Sequence, residues 1–171
     1  MPGEKLLLEG RTRTVGIVEQ VFGELQNLRK EDITFHTVKT ILRRIPSIGS
    51  REKNGDGILH FLARHDTPVS RLATEIALKK FKAYPDIVNE RKESPLMVAS
   101  AANNIPFVKR MHKYNLRNEG QILPDEPQRA FRVNFAKENY MRQNAEQIAQ
   151  FHGNHELAAI VGKILRASDK V

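Results

Sequence analysis

Residues 144–165 read NAEQIAQFHGNHELAAIVGKIL, and this stretch decides the fold. Two short apolar runs at helical spacing flank a break at Gly153-Asn154. The same layout occurs twice earlier, in SPLMVASAANNIPFVKRM at 94–111 and, more loosely, in GILHFLARHDTPVSRLATEIAL at 57–78. Three copies of one helix–turn–helix unit imply a stacked repeat protein. A single short helix pair buries too little apolar area to offset its ordering entropy, so neighbouring pairs must cover one another.

Outward from these copies, Val18, Val21, Phe22, Leu25 and Leu28 step by three and four, which predicts an amphipathic helix. Phe35, Val38, Ile41, Leu42 and Ile45 predict a second, stopped by Pro46. Residues 46–56 are a turn-rich link with Gly49, Asn54 and Gly55. A short helix is expected at Ile58–Arg64. A longer one opens at Thr67-Pro68 and carries Val69, Leu72, Ala73, Ile76, Ala77 and Phe81 on one face. Ser94 is a suitable N-cap for the next short helix, and Asn103-Asn104 separates it from its partner. The pattern then lapses through Pro124-Asp125-Glu126-Pro127 and an ambiguous alternation at Phe131, Val133 and Phe135. No long period-two run is present, so the fold class is all-α.

Gly57, Ser94 and Asn144 occupy one repeat position, at spacings of 94 − 57 = 37 and 144 − 94 = 50 residues. Leu62, Ala99 and Ala149 follow five residues later, and the turn formers Asp66, Asn103 and Gly153 nine residues later. This pattern resembles the ankyrin repeat, with its period of ~33 residues and a core reading G-x-T-P-L-H-x-A-A-x-x-G-H. Gly55, Leu59, His60 and Ala63 match in the first copy. Asp86-Ile87-Val88-Asn89 resembles the D-V-N before a hairpin. Ser94-Pro95-Leu96 and Ala99 match in the second copy; Ala149, Gly153 and Glu156-Leu157 match in the third. Glu146 stands where that family has Leu, and the hairpin before Ser94 is short.

The resemblance implies a helix–turn–helix solenoid of about three to four stacked repeats within one domain, 1–171. Its expected parts are an N-terminal capping or degenerate repeat (14–56), repeats at 57–93 and 94–115, an insertion (116–141) and a C-terminal repeat (142–166). It also implies that another protein binds the concave side, made of hairpin tips and inner helices. The corresponding candidates are Arg51, Lys53, Asn54, Asp56, Glu90, Arg91 and Lys92 at the tips, with Phe61, Arg64 and Met97 on inner helices. Degenerate repeats with an insertion are similar to ankyrin proteins that intracellular bacteria deliver into host cells.

Lys and Arg number 28 against 20 Asp and Glu, a net charge of +8, which favours acidic partners. Lys39, Arg43 and Arg44, then Lys79, Lys80 and Lys82, then Lys109, Arg110 and Lys113, then Lys163 and Arg166 fall on successive second helices. Stacking would align them as a basic outer face, an alternative site for nucleic acid or anionic lipid. The absence of Trp argues against a base-stacking platform.

Catalysis has little support. There is no cysteine, no G-x-S-x-G and no phosphate-cradling glycine loop, so neither an enzyme nor a cofactor is expected. His152 and His155 straddle Gly153 and do not share a helix face, so no metal is expected there. His60 falls where the ankyrin pattern has its own structural histidine, and Asp125-Glu126 reads as a solvated turn. Three leucines at the N-terminus are too few for a signal peptide, and the expectation is a soluble cytoplasmic protein.

Overall fold

The structure, a computed structural model, describes residues 16–117 and 133–168. Those residues form four helix pairs: α1 (Ile17–Gln26) with α2 (Phe35–Leu42), α3 (Ile58–Arg64) with α4 (Pro68–Lys79), α5 (Pro95–Ala101) with α6 (Ile105–Arg117), and α7 (Ala145–Phe151) with α8 (His155–Ser168). A 3-10 turn at Lys30–Asp32 links α1 to α2. The first helices pack in the order α1, α3, α5, α7, and the second helices in the order α2, α4, α6, α8. The molecule is a two-layered helical repeat solenoid. Among the described residues, the sole β-type pairing is an isolated bridge between Arg51 and Gly57.

The local chemistry repeats with the chain. Each first helix of the last three pairs begins with a reciprocal contact three residues apart. His60 Nδ1 accepts from Gly57 N–H at 3.1 Å, Met97 Sδ from Ser94 N–H at 3.5 Å, and Gln147 Oε1 from Asn144 N–H at 2.9 Å. Three residue types thus satisfy one otherwise orphaned donor. Ala63, Ala99 and Ala149 are fully buried, and their small side chains let the first helices approach closely.

Neighbouring units are also stitched by polar side chains. Asn104 Nδ2 donates to Ala63 O at 2.9 Å and Asn154 Nδ2 to Ser100 O at 2.8 Å, so each second-helix entrance holds the end of the preceding first helix. Thr67 occupies the same position one unit earlier and reaches the Gln26 side chain at 3.3 Å. The two asparagine bonds satisfy carbonyls that a helix end leaves without an intrahelical donor.

A tight turn precedes each of α3, α5 and α7. Glu52–Asp56, Asn89–Glu93 and Asn139–Gln143 share one geometry: the fourth residue donates to the first carbonyl at 2.9, 3.0 and 3.0 Å. That fourth residue is left-handed in all three, with φ of 79° at Gly55, 58° at Lys92 and 57° at Arg142. Gly55 is required for a second reason, since a Cβ there would lie 2.7 Å from Glu90 N. The turns form a ribbon: Glu90 N–H donates to Asn54 O at 3.0 Å, and Tyr140 N–H to Arg91 O at 3.4 Å.

The third turn begins inside the stretch expected to be an insertion, 116–141, and ends just beyond it. Residues 116–117 complete α6 and residues 118–132 lie outside the described residues. From residue 133 the chain already belongs to the stack. Val133 and Phe135 are buried in the core, and Asn134 N–H donates to both carboxylate oxygens of Asp86, at 3.1 and 2.9 Å. Asp86 is itself buried, which pushes its carboxyl above the usual range despite that hydrogen bond and the nearby Lys137 ammonium.

Candidate binding groove

Repeat register places equivalent residues around one groove between the turn tips and the first helices. In the first copy, Lys53 and Asn54 at the tip and Phe61 and Arg64 on α3 line a recess of about 300 Å³, together with Glu19, Glu52 and Asp56. Shifted by 37 residues, the corresponding set is Glu90, Arg91, Val98 and Ala101. Shifted by a further 50, it is Tyr140, Met141, Ile148 and Phe151. The groove therefore changes from charged to apolar along the stack. Tyr140, Met141 and Phe151 are 66%, 74% and 76% exposed, the three most exposed large hydrophobic residues among those described. A cost of leaving such area in water makes their clustering at one end informative.

The charged end is held by a buried carboxylate. Asp56 is fully buried and accepts from Arg64 at 2.6 Å, from Asn54 at 2.9 Å and from Asn89 at 3.0 Å. Burial raises its pKa, but the hydrogen bonds from Arg64 and Asn89 and the Arg64 charge outweigh that and hold it below the usual carboxylate range. Arg64 in turn lies over the Phe61 ring, 5.6 Å from its centroid, and Phe61 packs against Phe22 of α1 at 5.4 Å between centroids. Glu52 links the first turn to the first pair by accepting from Val18 and Glu19 N–H at 2.9 and 3.1 Å, a carboxylate seated on a helix N-terminus.

Of the expected partner-binding residues, Lys53, Asn54, Phe61 and Arg64 line the recess, and Glu90 and Arg91 are exposed at the second turn. Arg51 is exposed, and its guanidinium donates to Val88 O at 3.0 Å, bracing the second turn. Lys92 is exposed beside the third turn, its ammonium 4.7 Å from the Tyr140 ring centroid. Two expectations fail. Asp56 is not a free tip residue but the buried acceptor for Arg64, because its neighbour Gly55 turns the chain back into the stack. Met97 is 1% exposed, because its sulfur closes the start of α5. Sequence reasoning missed Tyr140, Met141 and Phe151. Extending the repeat alignment backwards from Asn144 would have found the first two.

The basic outer face is also revised. α4 ends at Lys79, so Lys80 is its C-cap residue and Lys82 lies in the following turn with a left-handed φ of 54°. Neither extends the helical band. Lys79 pairs with Glu75, Arg44 with Glu24, and Arg166 lies 3.8 Å from Glu146. Lys109 and Lys113 are exposed on α6, and Arg110 is half-buried there.

His60 is fully buried, with Nδ1 accepting from Gly57 and Nε2 donating to Glu93 O at 3.0 Å. Burial lowers its pKa, partly opposed by the Glu93 carbonyl and the Asp56 charge, so the ring is a neutral strut between two turns. His65 stacks against Phe22, with centroids 5.2 Å apart, and His112 meets Phe135 edge-on at 6.0 Å. Among the described residues no group of three or more His, Asp or Glu could hold a metal ion, and no helix is long and apolar enough to cross a membrane. Asp125 and Glu126 lie outside the described residues. No protein-family model matches the chain, and no curated protein shows significant similarity to it.

Proposed function

We propose that this chain is an ankyrin-like protein-interaction module, and that its partner lies along the groove formed by the three turn tips and the first helices. The observation that carries this reading is the exposure of Tyr140, Met141 and Phe151 at repeat positions equivalent to Lys53, Asn54 and Arg64. Large apolar side chains cost free energy in water and serve as anchors when a partner covers them. Arg91, Lys92 and Arg142 rim the same end, so the fitting partner is a protein segment with apolar anchors and acidic flanks. Binding rather than catalysis is the activity read here, on a preformed surface that needs little reorganisation. The lack of cysteine in all 171 residues fits a reducing cytoplasm.

The test is affinity capture from lysate with the wild type, with Tyr140→Ala/Phe151→Ala, and with charge reversal at Arg51, Lys53, Arg91 and Lys92. The aromatic pair is expected to weaken the specific interaction by about a hundredfold, at the level of ~2 kcal/mol or more for anchor residues. Charge reversal should weaken it by less, with a stronger effect at low salt. The same captured proteins at the same level with every variant would overturn the groove as the site.

A further inference from the structure

The second-helix layer contains a cleft that the partner-binding reading does not use. It lies between α4 and α6, holds about 280 Å³, and is lined by Glu75, Leu78, Lys79, Pro106, Lys109, Arg110, Lys113 and Tyr114. On α6 the lining residues fall at 106, 109, 110, 113 and 114, which is one face of a helix. On a helix flank that meets a neighbour such positions are ordinarily apolar. Here three of the five are cations. Charged ends resist desolvation, so these flanks cannot close on one another as the alanine-lined first helices do.

The charge in the cleft is not balanced from within. Lys79, Lys109, Arg110 and Lys113 face the single carboxylate of Glu75, which leaves 4 − 1 = +3, and Glu75 is already paired with Lys79. The acid whose pKa Arg110 helps to lower, Asp66, is gripped by the Arg71 guanidinium through two hydrogen bonds of 2.7 and 2.9 Å. The floor is apolar, with Leu78 and Tyr114 buried and Pro106 half-buried beside them. A cationic rim over an apolar floor calls for a ligand with clustered negative charge and an apolar body.

We infer that the α4–α6 cleft is a binding site for a small organic polyphosphate, of the nucleoside diphosphate class, with phosphoryl oxygens on Lys109, Arg110 and Lys113 and the ring system against Leu78, Pro106 and Tyr114. Phosphoryl groups on a lipid headgroup share this chemistry; the size and apolar floor of the cleft favour a free soluble ligand. The site is independent of the groove on the other layer.

Calorimetric titration of the whole chain with pyrophosphate and with adenosine diphosphate tests it, first at low salt and then at ~0.15 M ionic strength. Both are expected to bind at one site, the nucleotide several-fold more tightly because only it covers the floor. Lys109→Gln/Lys113→Gln should weaken binding by about tenfold. Lys30→Gln/Lys163→Gln removes the same charge at positions that do not line the cleft and should change it by less than about twofold. Circular dichroism checks that both variants fold, and all four lysines are exposed, so the comparison survives. Equal weakening by both variants would indicate a diffuse basic surface and overturn the pocket. So would no heat with either probe at about 1 mM. Co-sedimentation with phosphoinositide vesicles in preference to the soluble nucleotide would overturn the free ligand.

Discussion

Between α3 and α5 two units meet through fully buried Ala63 and Ala99 and through the Asn104 amide on Ala63 O, whereas between α4 and α6 the same two units stand apart around a cleft edged by Lys79, Lys109, Arg110 and Lys113. The first layer is a continuous packed core in which small side chains and satisfied carbonyls make every position count. The second helices share that core through residues such as Leu78, Phe107 and Met111, but their free charges gather around the α4–α6 cleft. The stack is thus closed most tightly between its first helices and carries its free charge between α4 and α6, and that contrast sets how substitutions should rank.

The largest effect should come from overfilling the close side. Ala99→Leu adds three carbons where α5 packs between α3 and α7, and is expected to cost about 3 kcal/mol. Lys109→Leu on the open side should change stability by no more than ~0.5 kcal/mol. Urea unfolding of both measures the contrast; similar losses would mean that the layers do not differ. Next comes the polar stitch. Asn104→Ala removes the bond to Ala63 O and the one that its Oδ1 accepts from Phe107 N–H at 3.0 Å, at about 2 kcal/mol together. A thermal melt checks this, and a loss near zero would deny the stitch a role.

The smallest and most specific effect concerns pH. His60 is held neutral, since burial keeps its folded pKa below the ordinary histidine value of 6.5. As pH falls below 6.5 the unfolded chain takes up a proton that the folded chain refuses, so stability declines down to the folded pKa, with a slope approaching about 1.4 kcal/mol per pH unit. Asp56 adds its own loss only below its unfolded value of 3.8. His60→Gln places at this position the residue type that the third unit uses at Gln147. It should cost about 1 kcal/mol at neutral pH and flatten the decline that sets in below pH 6.5. An unchanged slope would assign the decline to other groups.

What was legible in the sequence follows the same division. Helix starts at Ser94 and Asn144 and the break at Gly153 could be read because capping and left-handed turns have strong residue preferences. The spacing of apolar positions gave the helices, and their order in two layers was what the ankyrin resemblance implied. The third turn was hidden because Arg142 takes a left-handed conformation that sequence reading assigns to glycine, and because Tyr140 and Met141 look unlike a solvated tip. Burial of Asp56 was hidden because its partners come from Arg64, one helix later, and Asn89, one unit later. The end of α4 before Lys80 had no marker either, since a left-handed Lys82 carries no residue signature.

The turn-to-turn ribbon, Asn54 to Glu90 and Arg91 to Tyr140, couples each unit only to its immediate neighbours. A chain coupled in this way behaves as a one-dimensional array, in which disorder enters at the ends and moves inward one unit at a time. The amide proton of Glu90 should thus exchange with solvent more slowly than that of Tyr140, and tension applied along the stack should release the molecule in steps rather than at once.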